Sequence, residues 1–88
     1  MYFVYVLISK KDEAFYIGFT ENVKKRLDEH NRGKTLSTKS RRPFVLLYYE
    51  MHLSKIDALR RESYFKSSKG RTTLKKVLCE SLRVVYKQ

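Results

Sequence analysis

Seven consecutive residues, Tyr2-Phe-Val-Tyr-Val-Leu-Ile8, carry no charged or small polar break. The run is far short of the roughly 18 apolar residues a membrane span needs. Its β-branched and aromatic content predicts a buried strand. A polar stretch, Ser9 to Glu13, separates it from a second apolar run, Ala14 to Phe19. Such a stretch is what a hairpin connection looks like, so the two strands are predicted to be antiparallel neighbours. The period then lengthens. Thr20 or Asn22 can cap a helix in which Val23 and Leu27 stand four apart, and Gly33 supplies its stop, which predicts a helix over Asn22 to about Arg32. Lys34 to Arg42 reads as a polar loop, and Pro43 marks the entry to a third strand, Phe44 to Met51. Ser54 and Asp57 form a capping box with Asp in place of Glu, opening a second helix through Ile56, Ala58, Leu59 and Phe65 that Gly70 is expected to end. Leu74, Val77, Leu78 and Leu82 fall at helical spacing and predict a last amphipathic helix. The order is β-β-α-β-α-α, an α+β arrangement.

A chain of 88 residues has room for one core, and a single domain over 1–88 is expected. A core this small leaves few positions to spare from packing, so a polar residue on an apolar face needs a reason. Twenty Lys and Arg against nine Asp and Glu leave a net charge of +11. That self-repulsion disfavours compaction and is expected where a polyanion is bound, nucleic acid first. A membrane partner would want an amphipathic basic helix or an anchor, and none is read here. No charged segment precedes the first apolar run and no small-residue cleavage site follows it, so a cytoplasmic location is expected. Cys79 has no second cysteine to pair with, makes a poor metal site, and is read as packing.

Some polar residues sit where packing alone does not explain them. At 100° per residue, Ile56, Leu59, Ser63, Ala58 and Phe65 define an arc that contains Glu62. A carboxylate there wants a cation, a metal ion or hydrogen-bond donors; a salt bridge to an arginine, or a boundary position reaching water, would serve equally well. Arg26 and His30 are four apart and share a face beside the Val23 and Leu27 stripe. The guanidinium suits a phosphate oxygen, and the imidazole suits a phosphate, a tyrosine hydroxyl or a proton. The alternative is an arginine stem lying on apolar surface and a satisfied boundary histidine. Tyr5 and Tyr16 lie in the middle of the two paired strands and converge only if the register allows; otherwise they pack with a wet tip. Gly18 suggests a bulge or the close approach of a backbone or ligand.

The ordered set, a strand with Tyr5, a hairpin, Tyr16-Ile17-Gly18, a helix with Arg26 and His30-Asn31, then Ala58-Leu-Arg-Arg-Glu62, resembles the GIY-YIG nuclease superfamily, and most of all its small stand-alone bacterial members. The resemblance spans the chain from Tyr2 to about the start of the last helix. It implies a three-stranded antiparallel sheet flanked by helices, with Tyr5, Tyr16, Arg26, His30 and Glu62 at a catalytic site. The family's glutamate holds one divalent metal ion, so Glu62 would be the ligand of Mg²⁺, or of Mn²⁺ in its place. The family's first tyrosine is held to activate water, which makes Tyr5 the base or its relay. Gly18 and the loop cations Lys34, Lys39, Arg41 and Arg42 are expected on the nucleic-acid-binding surface.

The likeness has departures. Phe3-Val4-Tyr5 stands where the first motif reads Gly-Ile-Tyr, and Phe19 follows Gly18 where excision-repair relatives carry a lysine, so that phosphate contact must come from elsewhere, Lys39 or Arg41 for instance. The chain has no added DNA-recognition domain, which predicts little sequence specificity and a structure- or repair-related role. The expected function is metal-dependent hydrolysis of phosphodiester bonds, in DNA before RNA. A homodimer or a repair-protein partner is compatible with it. The alternative is a non-catalytic nucleic-acid-binding module of the same fold, and a domain docking an acidic protein ranks last because it gives Glu62 no role.

Overall fold

The computed structural model describes residues 1–86. Its elements are β1 (Tyr2–Ser9), β2 (Phe15–Thr20), α1 (Val23–Asn31), a 3₁₀ turn (Lys39–Arg41), β3 (Phe44–His52), α2 (Lys55–Lys66), α3 (Ser68–Val77) and α4 (Cys79–Tyr86). The strands form one antiparallel sheet in the order β2-β1-β3. The apolar run at the start of the chain is therefore the central strand, with neighbours on both edges. Ser9 closes the β1–β2 hairpin by accepting from the backbone N–H groups of Lys11 and Asp12, and its own hydroxyl donates to the carbonyl of Arg41.

Successive side chains of β1 point to opposite faces, and the two faces are built differently. Val4, Val6 and Ile8 join Phe15, Ile17, Ala58, Phe65, Leu74 and Leu78 in an apolar cluster beneath the C-terminal helices. Tyr5 and Leu7 join Phe44 on the other face, with Tyr16, Val23, Leu27 and Leu46 packed against them from β2, α1 and β3. A bulge in β3, where Val6 pairs with Tyr48 and Leu7 with Leu46, shifts the register by one residue. Beyond it Tyr48, Glu50 and His52 share the side of Val6, Val4 and Tyr2.

The helical region departs from the sequence expectation at three points. Gly70 does not end the second helix. Ser67 does, and its side chain also caps the next helix by accepting from Gly70 N–H, so one residue closes α2 and opens α3. Gly70 lies in the first turn of α3, where a Cβ would fall 1.9 Å from the carbonyl oxygen of Tyr64; the missing side chain lets the helices meet. The last predicted helix is in fact two, because the chain breaks at Leu78. The break turns Leu78 into the core and leaves Cys79 exposed, not packed as expected. Finally, the inward stripe of α2 is made by Ala58 and Phe65, both buried, with Arg61 and Glu62 half-buried on its flanks. Ile56 and Leu59, expected in that stripe, are 69% and 40% exposed.

Candidate active site

The register answers the question the two tyrosines posed. Tyr5 pairs with Gly18, and Leu7 pairs with Tyr16, so both phenols stand on the same face of the sheet as diagonal neighbours, with ring centroids 6.3 Å apart. Gly18 has no side chain because the Tyr5 ring lies over it: a Cβ would sit 2.3 Å from the phenol carbon and oxygen. The close approach read from the sequence is made by this neighbouring side chain, and it carries the Tyr5 hydroxyl out across β2.

Helix α1 brings His30 to that hydroxyl. Asn22 caps the helix by accepting from Lys25 N–H. The predicted stop at Gly33 is a left-handed residue, with φ of 74°, in which Gly33 N–H donates to the His30 carbonyl and Lys34 N–H to the Glu29 carbonyl. This paired-bond helix end is what returns the chain across the imidazole. Asn31 fastens the same turn to β3 through two bonds with the backbone of Phe44. His30 is fully buried. Its Nε2 lies 3.0 Å from Tyr5 Oη and its Nδ1 lies 2.8 Å from Thr38 Oγ1.

The hydrogen-bond directions follow from proton counting. Thr38 has one hydroxyl proton for two acceptors, the Thr35 carbonyl at 3.3 Å and His30 Nδ1 at 2.8 Å; when it goes to the carbonyl, Thr38 accepts from His30, which carries its proton on Nδ1. Nε2 is then an acceptor, and Tyr5 donates to it. Burial, with the charge of Arg26, holds His30 down at about 4, so it is neutral at physiological pH. Burial, with the charges of Tyr16 and Glu62 added, pushes Tyr5 up to about 12 against the opposing pull of Arg26. The resting arrangement is a neutral chain from Tyr5 through His30 and Thr38 to the backbone. Thr38 was not among the residues singled out in the sequence, and no local pattern around it would have found it.

Arg26, one turn before His30, stands at the mouth of this chain. Its guanidinium is partly exposed and donates to Glu29, 3.2 Å away. Burial works against its charge, but its bonds to Tyr5 and Glu29 outweigh that and raise it. Glu62 approaches from the other layer. On α2, Ala58 and Phe65 point into the core, and Arg61 on one flank donates to Glu50 of β3 at 2.9 Å. Glu62 is 100° further round the helix, half-buried beside Ala58 and Phe65. Its charge is the smallest of the influences that raise Tyr5, after burial and Tyr16.

Glu62 is 18% exposed, and its ion-pair partner is Lys66 Nζ at 3.2 Å, so the carboxylate already accepts a cation. Among the described residues no group of three or more His, Cys, Asp or Glu gathers as a cage. A single carboxylate of this kind can give one ligand to a divalent cation such as Mg²⁺, which fills its other positions with water and phosphate.

The loop cations divide. Arg41 is bound to Asp12, holding that carboxyl at about 2, and also donates to the carbonyls of Ala14 and Phe15. Arg42 donates to the Lys39 carbonyl and lies against Gly33. Both hold the loop together. Lys34 and Lys39 have no ion-pair partner among the described residues and are the loop's outward charges.

Residues 1–76 match the GIY-YIG catalytic domain, and the chain belongs to that family. Within it, the chain is similar to small bacterial proteins designated UPF0213. It is 47% identical over 75 residues to one from Staphylococcus haemolyticus, covering 83% of this chain and 92% of that protein. It is 36% identical over 86 residues to one from Lactiplantibacillus plantarum, covering 94% and 84%. Among solved structures, the solution NMR structure of the UPF0213 protein from Bacillus halodurans aligns with a TM-score of 0.55 at 33% identity, covering 88% of this chain and 85% of that one. The three-stranded antiparallel fold is that of the family, with one helix more than the sequence pattern predicts.

Proposed function

We propose that this protein is a divalent-metal-dependent endonuclease that hydrolyses phosphodiester bonds in DNA, with Tyr5, Tyr16, Arg26, His30 and Glu62 as its site. The observation that carries the reading is the hydrogen-bonded chain from Tyr5 Oη through His30 to Thr38 Oγ1 beside a partly exposed guanidinium. Packing needs no such proton path. An attacking water forms its bond to phosphorus as the bond to the leaving oxygen breaks; Tyr5 takes the water proton as its own passes to His30 Nε2. His30 already donates from Nδ1 to Thr38, so the imidazolium keeps a hydrogen-bonded seat. With a folded pKa of about 4 it holds that proton only transiently. Arg26 neutralises charge developing on a non-bridging phosphate oxygen. Tyr16 meets the imidazole edge-on, with centroids 4.8 Å apart, and fixes its plane. A cation held by Glu62 would supply Lewis-acid polarisation of the phosphate and stabilise the leaving oxygen.

The partial coverage of Glu62 by Lys66 favours one alternative, a module of the same fold that binds without cutting. A cleavage assay separates the two. Purified protein should nick duplex DNA with Mg²⁺ or Mn²⁺ and not with chelator, and Glu62→Gln should lose cleavage by a factor on the order of a hundred or more while still binding. Equal product from wild type and Glu62→Gln would remove the site from consideration.

A further inference from the structure

We propose that the solvent side of α3, formed by Lys69, Arg71, Lys75 and Lys76, is a docking surface for the phosphate backbone of duplex DNA that continues outward from Glu62. The location relative to the scissile phosphate rests on the nuclease reading; the binding itself does not.

Four cations and no acid lie within the ten residues Ser68–Val77. Gly70 and Leu74 are buried, while Lys69, Arg71, Lys75 and Lys76 are exposed. Cations crowded on one short helix repel each other, and fold stability gives no reason to gather them. Of the other cations, Arg26, Arg32, Arg41, Arg61, Lys66 and Arg83 each have an acidic partner while others, Lys34 and Lys39 among them, have none among the described residues; but α1, α2 and α4 all carry acidic residues among their cations, and α3 carries none. None of the four on α3 has one among the described residues.

The surface is continuous with the site. Lys66 Nζ holds the Glu62 carboxylate at 3.2 Å, and the Lys66 carbonyl accepts from Arg71 Nε at 3.4 Å. From Lys69 to Lys76 the helix rises about 10.5 Å. Duplex DNA carries one charge per about 1.7 Å of its axis, so a helix lying along the backbone meets several phosphates.

The other polyanions fit less well. A helix that inserts into an anionic membrane leaves its apolar face free, but Leu74 is packed in the core. A helix that docks an acidic protein sets large apolar or aromatic anchors among its charges, and between these cations α3 offers Thr72 and Thr73.

The test is the salt dependence of binding to a duplex of about 20 base pairs, read by fluorescence anisotropy in chelator so that no cleavage intervenes. Replacing all four cations by Gln should reduce the slope of log affinity against log salt by about 0.9 for each phosphate no longer neutralised, between roughly 2 and 4 in all, and weaken binding at least about tenfold at low salt. The double reversal Lys75→Glu, Lys76→Glu, with folding checked by circular dichroism, should weaken it by a comparable factor. An unchanged slope in both variants would show that these cations are merely solvated. Wild-type binding of polyglutamate, anionic vesicles or an RNA duplex as tight as that of DNA would overturn the assignment to DNA. Should the slope shift as expected while Mg²⁺ yields no product, the docking surface stands and the nuclease reading alone fails.

Discussion

The two faces of the sheet solve the same packing problem with opposite materials. Under α2, α3 and α4 the fully buried side chains are apolar, from Val4 and Val6 to Phe65 and Leu74, and the polar group Tyr48, Glu50, His52 and Arg61 is half-buried at the β3 margin. Under α1 the one buried residue of the helix is a histidine, and around it stand two tyrosines and a buried threonine. Buried polar groups are tolerated when each has a partner, and among the described residues no buried side-chain nitrogen or oxygen lacks one. The difference teaches that the dry face supplies the stability on which the other draws: small chains have little to spare, and polar chemistry occupies the side with thinner cover.

Breaking the dry face should cost most. Phe65→Ala removes a fully buried ring and should lower unfolding free energy by about 3–5 kcal/mol in a urea titration. A loss under about 1 kcal/mol would mean that this face is not the main support.

Acid should load the polar face selectively. An unfolded His30 takes a proton near 6.5, whereas in the fold burial, and Arg26 after it, hold it neutral down to about 4. Between those values the unfolded chain binds more protons, so stability falls as pH falls, by up to about 3 kcal/mol across the window. His30→Gln should remove that slope; an unchanged slope would place its origin elsewhere.

The smallest effect should come from Thr38→Val, which leaves His30 Nδ1–H without its acceptor and should cost about 1–3 kcal/mol. A structural role alone predicts only that loss. The oriented chain predicts in addition a changed tautomer, visible in the nitrogen shifts of the imidazole.

How much of this was legible in the sequence depends on the distance between partners. The central strand, the Asn22 cap and the Gly33 stop were readable because their causes lie within a few residues. Gly70 carried the same signal as Gly33 and meant something else, since only Gly33 has positive φ while Gly70 makes room for the Tyr64 carbonyl. Glu62 is half-buried beside Ala58 and Phe65, whereas Ile56, Leu59 and Ser63 of the expected arc are exposed, because helical spacing fixes which residues share a face and not which side faces the core. Its pairing with Lys66, four residues on, was within reach of the same rule. The bond between Arg41 and Asp12, 29 residues apart, and that between His30 and Thr38 across a turn depend on how the loop folds back. Both therefore escaped. The convergence of the two tyrosines needed the strand register, which hydropathy alone does not supply.

The hydrogen atom at Gly18 has a kinetic meaning. Since the neighbouring ring fills the space a larger residue would take, the Tyr5 hydroxyl is seated against the main chain of β2. In the proposed reaction that seat would leave little freedom to surrender when a substrate is met.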